Sequence, residues 1–118
     1  MRGSTMYGLP DDFDYGIFAG RALRVVSYAE YSMYLHFDRD CTISIEGTIA
    51  IDDSDPVEVS QHPTSVIFLI GATVSSARRE SLGTMCLQFE TDHIIRIFDS
   101  FAMYESYSIS ADGKTTIV

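Results

Sequence analysis

Lysine is almost missing from this chain. Lys114 is the only one, and with seven arginines it faces 17 acidic residues, for a net charge of −9 at pH 7. Such a surface repels phosphate backbones and anionic headgroups, which argues against direct nucleic-acid or membrane binding. It suits a protein partner with a basic surface, and it also serves plain solubility. The imbalance is uneven: residues 1–59 hold 11 acids and four arginines, while residues 60–118 hold six acids and four bases. Cysteine is scarce as well. Cys41 and Cys86 are too few for a disulfide framework, so both read as free thiols of a reducing compartment. Long apolar runs are absent: the longest, Val66 to Ile70, is far too short to span a bilayer. The opening MRGSTMYGLP carries no apolar stretch after its arginine, so no secretory signal is read and a cytoplasmic location is expected. Met1–Thr5 reads as an appended leader before Met6, and 6–118 as one domain by size.

Catalytic signatures are lacking too. There is no G-x-S-x-G elbow and no S-x-x-K. Gly16 and Gly20 do not follow a strand, so no phosphate-cradling loop is read. His36, His62 and His93 are not at ligand spacing, and neither cysteine lies near one. Asp99, Glu105 and Glu46 are the nearest paired carboxylates by strand position, and they read as surface charges. The expectation is no enzyme, no catalytic residue, no metal and no cofactor.

What the chain does contain is one pattern twice. Residues 20–47 and 71–99 align with Gly20 on Gly71, Leu23 on Val74 and Val26 on Ala77. After one inserted residue, Leu35 falls on Leu87, Phe37 on Phe89, Asp40 on Asp92, Ile43 on Ile95 and Ile45 on Ile97. The apolar positions match and the polar ones mostly do not. That pattern marks a duplicated structural unit, here 13–47 and 64–99, and not a duplicated active site. Alternation over Ser32–Asp38 and Cys41–Glu46 predicts strands with one buried face, joined at Asp38-Arg39-Asp40. Arg21–Glu30, Thr48–Ile51, Val57–Val59, Ala72–Glu80, Thr84–Glu90, His93–Phe98, Tyr104–Ser110 and Thr115–Val118 read as further strands. A short helix over Phe13–Phe18, capped by Asp11 or Asp12, is expected to end at Gly20. A second, over Thr64–Ile70 with Pro63 in its first turn, is expected to be buried nearly all round and to stop at Gly71. The fold class read from this is α+β and β-rich. Two pseudo-repeats, each a short helix plus a three-stranded antiparallel meander, would pack about a pseudo-twofold as a sandwich or partly closed barrel.

Two surface features stand out. Asp52-Asp53-Ser54-Asp55, with Glu58 nearby, is the densest charge cluster. It reads as a solvated turn, a docking patch for a basic partner, or a Ca²⁺ loop, although the EF-hand glycine and final glutamate are missing. Tyr28, Tyr31 and Tyr34 crowd the first hairpin, and Tyr104 and Tyr107 flank Glu105. Tyrosines beside acids serve a protein-binding face or ordinary cross-strand packing.

Several stretches resemble a known group. Leu69-Ile70-Gly71, Leu87-x-Phe89, Ile43-x-Ile45-Glu46-Gly47, Tyr104-Glu105-Ser106-Tyr107-x-Ile109 and Thr116-Ile117-Val118 are similar to an L-x-G, L-x-F, I-x-I-E, YES(Y/F)-x-I pattern. A family of small uncharacterised bacterial proteins shares it, and the resemblance runs from about residue 7 onward. Some similar proteins lie in toxin–immunity gene clusters, which implies an immunity role and no catalytic residue. The function expected is therefore a non-enzymatic module that binds a basic toxin domain, such as a nuclease. Asp52, Asp53, Asp55 and Glu58 would form its acidic face, and Tyr31 and Tyr34 its anchors. The alternative is a small-molecule or enzymatic site between the repeats, at an apolar pocket lined by Tyr104, Glu105 and His93.

Overall fold

The computed structural model describes residues 14–59, 66–80, 84–98, 107–111 and 114–117. They form ten strands: β1 (Leu23–Tyr28), β2 (Met33–Phe37), β3 (Cys41–Ile45), β4 (Thr48–Ile51), β5 (Val57–Glu58), β6 (Val74–Arg79), β7 (Met85–Phe89), β8 (Ile94–Phe98), β9 (Tyr107–Ala111) and β10 (Lys114–Ile117). All pairings are antiparallel. They build two five-stranded sheets, ordered β1-β2-β3-β9-β10 and β5-β4-β8-β7-β6.

The strand order reveals an exchange. β1–β3 and β6–β8 are the two meanders of the repeat. The hairpin that follows each meander does not extend its own sheet. β4–β5 leaves the first meander and pairs with β8, and β9–β10 leaves the second and pairs with β3. Each half of the chain therefore completes the sheet of the other. Side-chain alternation drives this. Met33, Leu35, Phe37, Cys41, Ile43, Ile45 and Ile109 face inward from one sheet. Ile49, Val74, Met85, Leu87, Phe89, Ile95 and Ile97 do so from the other, and all join one core cluster. Neither inner face is covered without its partner.

The repeats match down to irregularities. Arg24 and Ser75 are the extra residues of equivalent β-bulges, between Leu23 and Val25 and between Val74 and Ser76. Ahead of each meander lies a type II turn. The Arg21 N–H donates to the Phe18 carbonyl at 3.1 Å and the Ala72 N–H to that of Leu69 at 2.9 Å. Gly20 and Gly71 take the third position at φ +84° and +96°, where a side chain is strained. The turns clasp each other across the pseudo-twofold. Gly20 N–H donates to Val74 O and Gly71 N–H to Leu23 O, at 2.9 and 2.7 Å. Leu23 N–H meets Ala72 O and Val74 N–H meets Arg21 O, with an Ala22–Thr73 bridge at the centre.

The α+β, helix-plus-meander expectation is corrected here. Among the described residues there is no α-helix, and the two sheets keep open ends and do not close into a barrel. The elements before the meanders are 3-10 turns, Tyr15–Phe18 and Ile67–Leu69. Four and three residues are too few to pass helix nucleation, and a positive-φ glycine ends each run. The first turn is capped by Asp14, whose Oδ1 accepts the Gly16 N–H at 2.9 Å. Asp11, Asp12 and Pro63 lie outside the described residues. Nor is the second turn buried all round. Only Val66 and Leu69 point inward; Ile67, Phe68 and Ile70 are 60%, 56% and 44% exposed. Both cysteines are buried, Cys41 in the core cluster and Cys86 on the opposite face of its sheet.

Candidate functional site

The acidic loop joins β4 to β5. Its first residue, Asp52, adopts φ +52°, a left-handed conformation that Asp tolerates because its short side chain bonds locally. That conformation aims Asp52 at the start of β8. Its N–H donates to the Ile94 carbonyl, and its Oδ1 accepts the Ile94 N–H, both at 2.8 Å. Its Oδ2 lies 2.8 Å from His93 Nδ1. An ionised carboxylate only accepts, so Nδ1 carries the proton and Nε2 is left as the second nitrogen. The Ile94 N–H first, and the His93 bond second, hold the Asp52 carboxyl below its ordinary value. Ser54 tightens the loop by donating from Oγ to the Ile51 carbonyl at 2.6 Å.

Asp52 and Asp53 from the first half, and Thr91, Asp92, His93, Ile94 and Arg96 from the second, line an open cleft of about 350 Å³. The β7–β8 turn supplies one wall. Asp92 there is left-handed at φ +72°, and Phe89 and His93 close the loop with an N–H to carbonyl bond of 2.9 Å. Phe68, on the second 3-10 turn, packs edge-on against the His93 ring at 4.9 Å. Arg96 is already engaged: Nε meets Glu80 Oε1 at 2.8 Å and Nη1 the Asp52 carbonyl at 3.4 Å. The Glu80 bond raises the Arg96 value above that of a free guanidinium. Glu80 also holds Arg78 at 3.3 Å, with Cys86 in register between the two arginines. Burial, foremost, pushes the Cys86 thiol up.

Chemically, the site offers a carboxylate-oriented imidazole beside an acidic hollow. Among the described residues no hydroxyl or thiol is hydrogen-bonded to His93, so no activated nucleophile accompanies the pair. No group of three or more His, Cys, Asp or Glu side chains among them is arranged to hold a metal ion.

Of the residues singled out by sequence, Asp53, Asp55 and Glu58 are exposed on the hairpin. Asp52 is different: it is half-buried and ties the hairpin down. Tyr31 is 65% exposed at the β1–β2 turn. Tyr34 is half-buried and lies nearly parallel to His36, ring centres 6.1 Å apart. The acids thus belong to one sheet and the tyrosines to the other. Tyr104 and Glu105, placed with His93 in the alternative, lie outside the described residues. Sequence reasoning missed the Asp52–His93 pair, 41 residues apart, and the exposure of Phe68. The second was partly readable from the repeat, because the twins of Ile67 and Ile70 are Gly16 and Ala19, although the twin of Phe68 itself is Ile17.

Among the described residues, no helix is long and apolar enough to cross a membrane. The chain matches no protein-family model, no curated protein and no solved structure.

Proposed function

We infer that this chain is a non-enzymatic protein-binding module that neutralises a basic toxin domain by covering it. The observation that carries the binding part is the β4–β5 hairpin. Asp52 pins it to the start of β8 through both carboxylate oxygens, while Asp53, Asp55 and Glu58 stay exposed on a pre-organised hairpin. A fixed acidic loop on a chain of net charge −9 steers a cationic partner and loses little entropy on docking. The toxin-neutralising part rests on the resemblance to immunity-cluster proteins. Tyr31 and Tyr34 serve as a second contact, on the other sheet, for a partner large enough to span both.

The test is co-expression with the C-terminal domain encoded by the neighbouring upstream gene. Relief of toxicity with co-purification supports the reading; toxicity without relief removes it. Calorimetry then locates the face. Asp53→Lys with Asp55→Lys weakens binding at least tenfold if the hairpin is used, and leaves it unchanged if it is not. Asp52 is spared in that variant because it holds the loop.

A further inference from the structure

The duplication supplies an internal control for the surface. The two 3-10 turns occupy equivalent places, 51 residues apart, as Gly20 and Gly71 do. Each drives one plug into the core, Phe18 at 0% and Leu69 at 1% exposure. Around its plug the first turn places Gly16, Ile17 and Ala19, two of them small. The second places Ile67, Phe68 and Ile70 at the matching positions, all large and all exposed. The fold is therefore built once with a single large apolar residue here, Ile17, half-buried against the core, and the second copy's exposed surface at Ile67 and Ile70 is surplus to folding. Exposing such a patch costs solubility and is kept where something covers it.

What lies beside the patch says what covers it. Phe68 rests on His93, and His93 is bonded to Asp52, so the apolar turn runs directly into the cleft. The cleft presents Asp52, Asp53 and Asp92, and Arg96, the one guanidinium among its described lining residues, is bound to Glu80. An apolar platform ending in a carboxylate hollow is complementary to an apolar side chain followed by a cationic one. We propose that the Ile67–Ile70 turn and the adjoining cleft form a docking surface for a protein segment that seats an aliphatic or aromatic anchor on Phe68 and an arginine or lysine in the cleft. This rests on the protein-binding reading and names the partner's chemistry.

The experiment is a display selection of random 12-residue peptides on the full chain, followed by fluorescence anisotropy of the winners. Enrichment of an apolar residue close to Arg or Lys is expected. Affinity should fall at least tenfold in Phe68→Ser and, independently, in Asp53→Lys with Asp92→Lys. Each variant is first checked for an unfolding midpoint close to that of the parent. Winners without basic residues, winners that bind Phe68→Ser as well as the parent, or no winners at all overturn the proposal. A dimer in light scattering that Phe68→Ser abolishes also overturns it, by making a second copy the occupant. Failure of the two readings is separable: a toxin complex that forms equally with Phe68→Ser keeps the protein-binding reading and removes this face. Absence of any toxin complex removes that reading while the peptides still decide the face.

Discussion

Asp52 is the residue on which the site depends, and its role is structural before it is electrostatic. Asn keeps the left-handed conformation and one acceptor but loses the charge, so Asp52→Asn isolates the ion. Its carboxyl is held below the ordinary 3.8, so the native state binds fewer protons than the unfolded chain there. The stabilisation is full above the unfolded value and is lost as pH falls through the lowered native one. The side chain is 41% exposed, which screens the effect to about 1 kcal/mol. In urea titrations, the parent should exceed Asp52→Asn by that amount at pH 7, and the gap should close as pH falls from the unfolded value through the lowered native one. Gly20 and Gly71 make a second residue-scale pair. No atom lies within 4 Å of a Cβ built on either, so only the positive φ opposes a side chain. Gly20→Ala and Gly71→Ala should each cost about 1–2 kcal/mol in the same titration. Unequal costs would show that the two turns are not equivalent in energy.

At the scale of elements, the strands were legible and the helices were misread. Leu35-x-Phe37 and Ile43-x-Ile45 announce period-two burial, and their counterparts Leu87-x-Phe89 and Ile95-x-Ile97 repeat it. The run Val66 to Ile70 has no period, and an apolar run alone cannot distinguish a buried helix from a short turn with one face outward. What decided it was length: the turn ends at Gly71 after three residues. The Asp52–His93 contact was illegible for another reason. It depends on β4 crossing to the second sheet, and no local pattern encodes strand order. The turn's two faces give a measurable contrast. Leu69→Ala should cost about 2–4 kcal/mol by leaving a cavity, whereas Ile67→Ala should stay within about 0.5 kcal/mol. Thermal unfolding of the two variants side by side distinguishes them. A large loss at Ile67 would mean the patch supports the fold, and would undercut the docking surface built on it.

For the molecule as a whole, the exchange of hairpins makes each half the missing part of the other. β4–β5 and β9–β10 each sit in the sheet of the opposite meander. Cutting the connection between β5 and the second 3-10 turn, at a protease site placed within residues 60–65, should therefore leave one particle of unchanged size. Native mass spectrometry should find the two fragments together, and their unfolding midpoint should rise with concentration as for a heterodimer. Separation of the fragments under native conditions would contradict the strand order.

The same crossing sets a schedule for synthesis. When the first 59 residues have emerged, β4 can pair only with β5, because its other neighbour, β8, is still untranslated. The first meander likewise waits for β9, the strand that borders β3. The second sheet is incomplete until β8 has emerged and the first until β9 has, so up to those points the nascent chain carries unpaired edges on β4 and β3. A ribosome that stalls between the two meanders releases a half whose sheets have nothing to complete them.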